Sequence, residues 1–196
     1  GEVPVDKQDL SYLIFAGYDA DNLYVAVRVQ DDILSEDSAE AESQNGNTWQ
    51  DDSVEIFVDG DNSNFPDRSG NDPNVVDTGG QFVITVNNAY RENEAGNPGY
   101  GEGEAWFAQT SVTDTGYDAE FRITLDTIGN PKPGDVIGFT VGVNDDDDDG
   151  PAERQVLWVG KPHAAPALPL GMRTTQVSLH PWTACLASPS PTETEP

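Results

Sequence analysis

A single cysteine, Cys185, stands in 196 residues, so the chain holds no internal disulfide, and no C-x-x-C spacing offers a zinc site. Basic residues are scarce too: 9 Lys and Arg against 36 Asp and Glu leave a formal net charge of −27. Phosphate backbones and anionic lipid both require clustered Lys and Arg, which excludes nucleic acid and membrane surfaces as partners. No apolar run approaches the roughly 18 residues that span a bilayer, and no signal peptide opens the chain. The sequence begins at Gly1 rather than Met; with its Pro, Thr and Glu content, this leads to the expectation of an excised piece of an exported protein, secreted or held at the cell surface. Catalytic fingerprints are missing as well: there is no G-x-S-x-G, H-E-x-x-H, P-loop or dinucleotide-binding glycine motif. Asp51, Asp52 and Glu55 are nominal partners for a hydrolytic carboxylate pair, but among 36 carboxylates such pairs arise by chance. The chain reads as a non-enzyme.

What is present is alternation. With 36% hydrophobic residues, the chain is long enough for one buried domain, placed at residues 1–185, followed by a Pro, Ser, Thr and Glu-rich tail at 186–196. From Asn22 to Gln30, Leu23, Val25, Val27 and Val29 share one face and Tyr24, Ala26, Arg28 and Gln30 the other, the two-residue period of a pleated strand. Asp19 to Asn22 supply turn chemistry between this strand and one over Ser11–Tyr18. Further strands are expected at Ser53–Asp59, Gly80–Asn87, Ala105–Ser111, Tyr117–Leu125, Val136–Asn144, Gln155–Gly160 and Thr174–His180. Asp31–Asn47 reads as a loop with a helical turn near Ser38–Glu42. Gly60–Gly79 and Asn88–Glu104 read as long polar loops. About nine short strands with almost no helix imply an all-β, antiparallel, jelly-roll-like β-sandwich.

The chain is organised around Thr48–Gly60, T-W-Q-D-D-S-V-E-I-F-V-D-G. Val54, Ile56 and Val58 belong to the core face of its strand, and Ser53, Glu55, Phe57 and Asp59 to the other. An aromatic flanked by carboxylates, with an acid midway along the non-core face, suits a polar ligand with an apolar underside, such as a sugar. Two acidic stretches suggest hard-cation cages. Asp145, Asp147 and Asp149 precede Gly150 in the D-x-D-x-D-G manner, although Val156 replaces the closing bidentate Glu of an EF-hand. Asp59 and Asp61, with Asn62 or Asn64, form a second candidate cage. Solvated turns are the alternative in both places. Of the four tryptophans, Trp106 reads as core, while Trp49 and Trp158 both stand beside acidic loops.

The segments W-Q-D-D-S-V-E-I-F-V-D (49–59), D-N-L-Y-V-A-V-R-V-Q-D-D (21–32), A-E-F-R-I-T-L (119–125) and I-G-F-T-V-G-V-N-D-D-D-D-D-G (137–150) together resemble the family 9 carbohydrate-binding modules. The resemblance covers about Tyr12 to Gly160. It implies a noncatalytic, calcium-stabilised module on a secreted, polysaccharide-active protein, gripping the end of a glucan or xylan chain between two tryptophans. Trp49 matches the first aromatic, Glu55 the acidic hydrogen-bond partner, Trp158 the second aromatic, and Gln155 an amide that precedes it. Val83 and Thr85 depart from the basic residue and amide that sugar-binding members tend to carry there. The family's opening I-D-G strand also has no counterpart before Asp9.

Two other classes remain open. One is a structural or adhesive subunit of a surface assembly or filament, possible if the lead-in Gly1–Leu10 or the tail beyond Gly171 fills an unpaired sheet edge in its own chain or a neighbour's, giving a homo-polymer by strand exchange. The other is a haem-binding relative of the same sandwich, with axial ligands drawn from His163, Met172 and His180.

Overall fold

The structure, a computed structural model, describes residues 10–44, 46–62, 78–94, 99–147, 154–158 and 175–178. For Asn93, Glu94, Arg154, Trp158 and Thr175–Ser178 only the backbone path is described. Ten strands run through these segments: β1 (Leu10–Tyr18), β2 (Asn22–Asp31), β3 (Ser53–Asp59), β4 (Gly79–Thr85), β5 (Tyr90–Glu94), β6 (Trp106–Thr113), β7 (Gly116–Thr124), β8 (Val136–Asp145), β9 (Arg154–Trp158) and β10 (Thr175–Ser178). They form two antiparallel sheets, one of four strands in the order β1-β2-β7-β6, the other of six in the order β10-β8-β3-β4-β5 with β9 also on β8. The β-sandwich inferred from strand spacing is the fold.

Alternation decides which residues meet between the sheets. Leu23, Val25, Val27 and Val29 of β2, Val54, Ile56 and Val58 of β3, and Val141 and Val143 of β8 join one buried cluster. Trp106 belongs to it, fully buried, with its indole edge-on to Phe82 at 5.2 Å and its Nε1 donating to Glu92 Oε2 at 2.6 Å. Burying this large ring removes much apolar area, and its one polar atom is matched.

The two sheets differ on their outer faces. The four-stranded sheet keeps a wetted face, with Leu13, Phe15 and Tyr24 exposed, as one-sided antiparallel sheets do. In the six-stranded sheet all seven residues of β3 and all seven of β4 are buried. The exit of β3 is equally tight: a Cβ at Gly60 would stand 1.6 Å from the carbonyl oxygen of Ile128, so only glycine lets the chain pass.

Two expectations change and a third holds. Asn88–Glu104 is not loop throughout, because β5 pairs with β4 from Gly80↔Glu94 to Ile84↔Tyr90. Tyr-Arg-Glu-Asn-Glu has no apolar alternation, so backbone pairing to a neighbouring edge makes this strand. Ser38–Glu42 forms no helix; carboxylates from elsewhere hold that segment. The tail strand is present as β10, which adds to the edge of β8 opposite Val136–Phe139 within the same chain, while β9 occupies the same edge further along. Most of Gly60–Gly79, and the tail 186–196, lie outside the described residues.

Candidate functional site

Trp49 rides on a 3-10 turn over Thr48–Gln50, closed by Gln50 N donating to Asn47 O at 2.8 Å. Thr48 beside it is fully buried, while the Trp49 side chain is 45% exposed. The turn packs against β3 and β4 at the end where Asp51 and Asp52 lead into β3. An exposed indole on a buried anchor is a ring held ready for stacking.

Register arranges the outer face of the six-stranded sheet in rows. Leu157, Gly142, Glu55, Val83 and Arg91 make one row across β9, β8, β3, β4 and β5. Gln155, Asn144, Ser53 and Thr85 make the next. Glu55 is only 2% exposed, where sequence alternation alone predicts an available side chain. Its Oε2 accepts from Gln81 Nε2 at 2.9 Å and its Oε1 from Asn144 Nδ2 at 2.9 Å, and the same Asn144 group reaches Ser53 Oγ at 2.9 Å. Both oxygens of a buried carboxylate are thus met by neutral donors. Sequence reasoning missed Gln81 and Asn144 as partners. Their signal was parity: each stands on the non-core face of its strand.

Gln155 is exposed beside Asn144. Trp158 is different. Its backbone pairs with Val141, and it is Leu157, 44% exposed, that pairs with Gly142 in the row of Glu55. Register therefore does not bring Trp158 into that row, because pleating alternates successive residues; its side chain lies outside the described residues. A Cβ at Gly142 would come within 3.0 Å of Leu157 Cδ2 and 3.4 Å of Gln155 Nε2, so glycine lets both side chains close over β8.

The same end of the sandwich carries a cluster of carboxylates. Asp31 closes β2, Asp52 opens the approach to β3 and Asp145 closes β8; all three are buried, and ligand oxygens from them lie within 4.8 Å of one another. Asp31, Asp32 and Asp147 make a second such group, and Asp37, Asp51 and Asp146 a third. Of the expected cation ligands, Asp145 and Asp147 take part. Asp59 and Asp61 join no such group among the described residues, and Asn64 and Asp149 lie outside them. Asp31, Asp32, Asp37, Asp51, Asp52 and Asp146 were not anticipated, since three separate chain segments supply them.

Backbone donors hold part of this charge. Asp52 accepts from Ser35 N at 2.6 Å and Asp146 N at 3.1 Å, and Asp51 from Ser38 N at 2.8 Å and Ala39 N at 2.9 Å, which explains the non-helical path of that loop. Asp31 Oδ1 accepts from Ile33 N at 3.1 Å, whereas its Oδ2 is buried with no hydrogen-bond partner. Burial, reinforced by the Asp31 charge, pushes the Asp52 carboxyl up to about 9. Burial also lifts Asp31 to about 7, with the Asp145 and Asp147 charges adding to it. Tyr117 is fully buried, and desolvation and then the charges of Asp52, Asp31 and Asp145 drive its hydroxyl well above the ordinary range. Like charges without water repel strongly, and oxygen-only donors at this density fit a hard divalent cation such as calcium. His163, Met172 and His180, the residues of the haem reading, lie outside the described residues.

Known proteins resemble much of this chain. Endo-1,4-beta-xylanase A of Thermotoga neapolitana is 33% identical over 142 residues, 72% of this chain and 12% of that enzyme. Exoglucanase XynX of Acetivibrio thermocellus is 31% identical over 141 residues, again 72% of this chain and 11% of the relative. The chain thus spans about an eighth or less of these enzymes. Among solved structures, a carbohydrate binding module family 9 protein from Caldicellulosiruptor kristjanssonii in complex with cellotriose is similar at a TM-score of 0.53 and 25% identity, covering 73% of this chain and 61% of that one. The model of carbohydrate family 9 binding domain-like proteins matches residues 3–165, and this chain belongs to that family of noncatalytic binding modules.

Proposed function

We propose that the chain binds the ends of glucan- or xylan-type polysaccharides, as a module of a larger, secreted, polysaccharide-active protein. One observation carries the reading: the exposed indole of Trp49 stands at the end of a sheet face whose polar centre is Glu55, held between the amides of Gln81 and Asn144. A sugar offers an apolar ring face and a rim of hydroxyls, which such a pairing matches. The cellotriose-bound relative supports the ligand class, and the xylanase and exoglucanase relatives support attachment to a catalytic neighbour. Calcium is proposed at Asp31, Asp52 and Asp145, where the unpartnered Asp31 Oδ2 favours a cation that would tie β2 of one sheet to β3 and β8 of the other.

Affinity electrophoresis through gels containing soluble glucans and xylans tests the sugar reading. Retardation is expected, and Trp49→Ala is expected to abolish it with the melting temperature unchanged, since the ring is half in solvent. No retardation on any polysaccharide of the panel, or full retardation of the Trp49→Ala protein, would overturn it.

A further inference from the structure

An edge strand offers unpaired N–H and C=O groups to any other strand, and the two sheets together have four edges. Among the described residues, three of them are met from within the chain. Along β6, Trp106 N donates to Gly99 O at 3.3 Å, Gly101 N to Trp106 O at 2.9 Å, Tyr100 Oη to Ala108 O at 2.8 Å and Thr110 N to Asn88 Oδ1 at 2.8 Å. At the start of β5, Tyr90 N donates to Ser43 O at 2.9 Å and Gln44 bridges to Tyr90, and the rest of that strand carries Arg91, Glu92 and Glu94. β8 is covered by β9 and β10, strands of only five and four residues. The fourth edge is β1, nine residues long, with which only β2 pairs among the described residues.

Proteins guard such edges with charge, proline or short length. β1 has none of these: L-S-Y-L-I-F-A-G-Y is long, uncharged and free of proline, and Leu13 and Phe15 are exposed on its outer face. Charge also limits what can meet it. With a net charge of −27 on the chain, an approach of two copies through an acidic face sets carboxylates against each other. The flank made by β1 avoids this. Tyr12 Oη donates to Val156 O at 3.2 Å, which places β9 over β1, and neither strand contains a carboxylate, while β9 contributes Arg154. On the neighbouring β2, Arg28 stands opposite Leu13. The strand is also self-complementary. An antiparallel pairing with a second β1, centred on Ile14, aligns all nine residues and sets Leu13 beside the partner's Phe15, an aliphatic and an aromatic side chain on one face, as cross-strand pairs favour.

We propose that the β1 edge is a homodimer interface, β1 pairing antiparallel with β1 of a second copy about a twofold axis at Ile14 and joining two four-stranded sheets into one of eight. That axis stands perpendicular to the sheets, so both copies present the face of Glu55 on the same side, and two glycan sites would engage one polysaccharide with the gain of linked binding. This last consequence, unlike the pairing, rests on the carbohydrate reading above. The test is sedimentation velocity of the full chain over a concentration series, read as a monomer–dimer dissociation constant. Phe15→Glu and Phe15→Lys are each expected to weaken association by about tenfold or more, whatever the sign of the charge, with the monomer still folded by circular dichroism. Raising salt from about 0.1 M to about 1 M shortens the Debye length from about 10 Å to about 3 Å, so the dimer fraction should rise as repulsion is screened. Register is read by mixing Leu13→Cys and Phe15→Cys chains, each also Cys185→Ser, under oxidation. The mixed disulfide dimer should dominate over either self-dimer, because like positions sit on the diagonal about 7–8 Å apart while a disulfide needs Cβ atoms about 3.5–4.5 Å apart. A chain that stays monomeric at every concentration and salt, a dimer indifferent to both Phe15 substitutions or dissociated by salt, or self-dimers as abundant as the mixed one would each overturn the proposal. None of these results touches carbohydrate binding, which gel retardation reads separately. If the Phe15 charge variants do not fold, the cysteine pair carries the test.

Discussion

Asp52 and Glu55 stand three residues apart on the approach to β3 and within it, both almost wholly buried, yet their surroundings are opposite. Glu55 is met on each oxygen by the N–H of a neutral amide. Asp52 is met by two backbone amides but also lies close to the carboxylates of Asp31 and Asp145, and burial, reinforced by the Asp31 charge, pushes its carboxyl up to about 9. Buried charge is tolerated either by donors within the fold or by a counter-ion from outside it. The first solution is complete within the fold, and the second leaves carboxylates together at the place where calcium is proposed.

The largest test of that contrast is Glu55→Ala. It leaves the N–H groups of Gln81 and Asn144 facing a buried void, and abandoned buried donors each cost about 1–3 kcal/mol, so a loss of about 3 kcal/mol in urea unfolding is expected, with or without calcium. A calcium-dependent loss would mean that the two regions are one site.

Next is the cation itself. Binding to the native state alone stabilises by about 2.7 kcal/mol at a hundredfold excess over the dissociation constant, so chelation should lower the melting temperature by several degrees. Asp52→Asn is expected to reverse sign between conditions: destabilising in calcium, where a ligand is lost, and stabilising after chelation, where a buried carboxyl kept protonated at a cost is replaced by a neutral amide. A chelator-insensitive melting curve would remove calcium from the account.

The smallest effect is a slope. In the calcium-free protein, Asp31 and Asp52 hold their protons to about 7 and about 9, against roughly 3.9 for an unfolded Asp. Their folded values are raised, so their contribution to stability is fully present below about pH 4 and is lost as pH rises through 7 to 9. With calcium the carboxylates are neutralised by the ion, and the difference between the two curves should widen with pH. Parallel curves from pH 5 to 9 would contradict this reading of the cluster.

Much of the fold was legible because it is a local property. The alternation Leu23, Val25, Val27, Val29 assigns a face to each residue whatever the strand pairs with, and all four are buried as that pattern requires. Trp106, in an aromatic strand, took the usual fate of a large ring. Trp49 was legible as an available loop aromatic beside a strand, and it is 45% exposed.

Non-local pairings were beyond such reasoning. β5 has no hydrophobic signature and exists because β4 offers it an edge. The run Asp145–Asp149 announced a cation loop, yet the group that gathers around Asp145 is completed by Asp31 and Asp52, from strands in different sheets. Each of those residues reads locally as an ordinary acidic strand end. By itself the sequence determined which side chains each strand turns inward, since pleating has a fixed period of two. Only the tertiary structure decided that the outer face around Glu55 would also be buried, that Leu157 rather than Trp158 would stand in its row, and that carboxylates from three segments would converge. Those outcomes depend on strand order and register, which are set by packing across the whole domain.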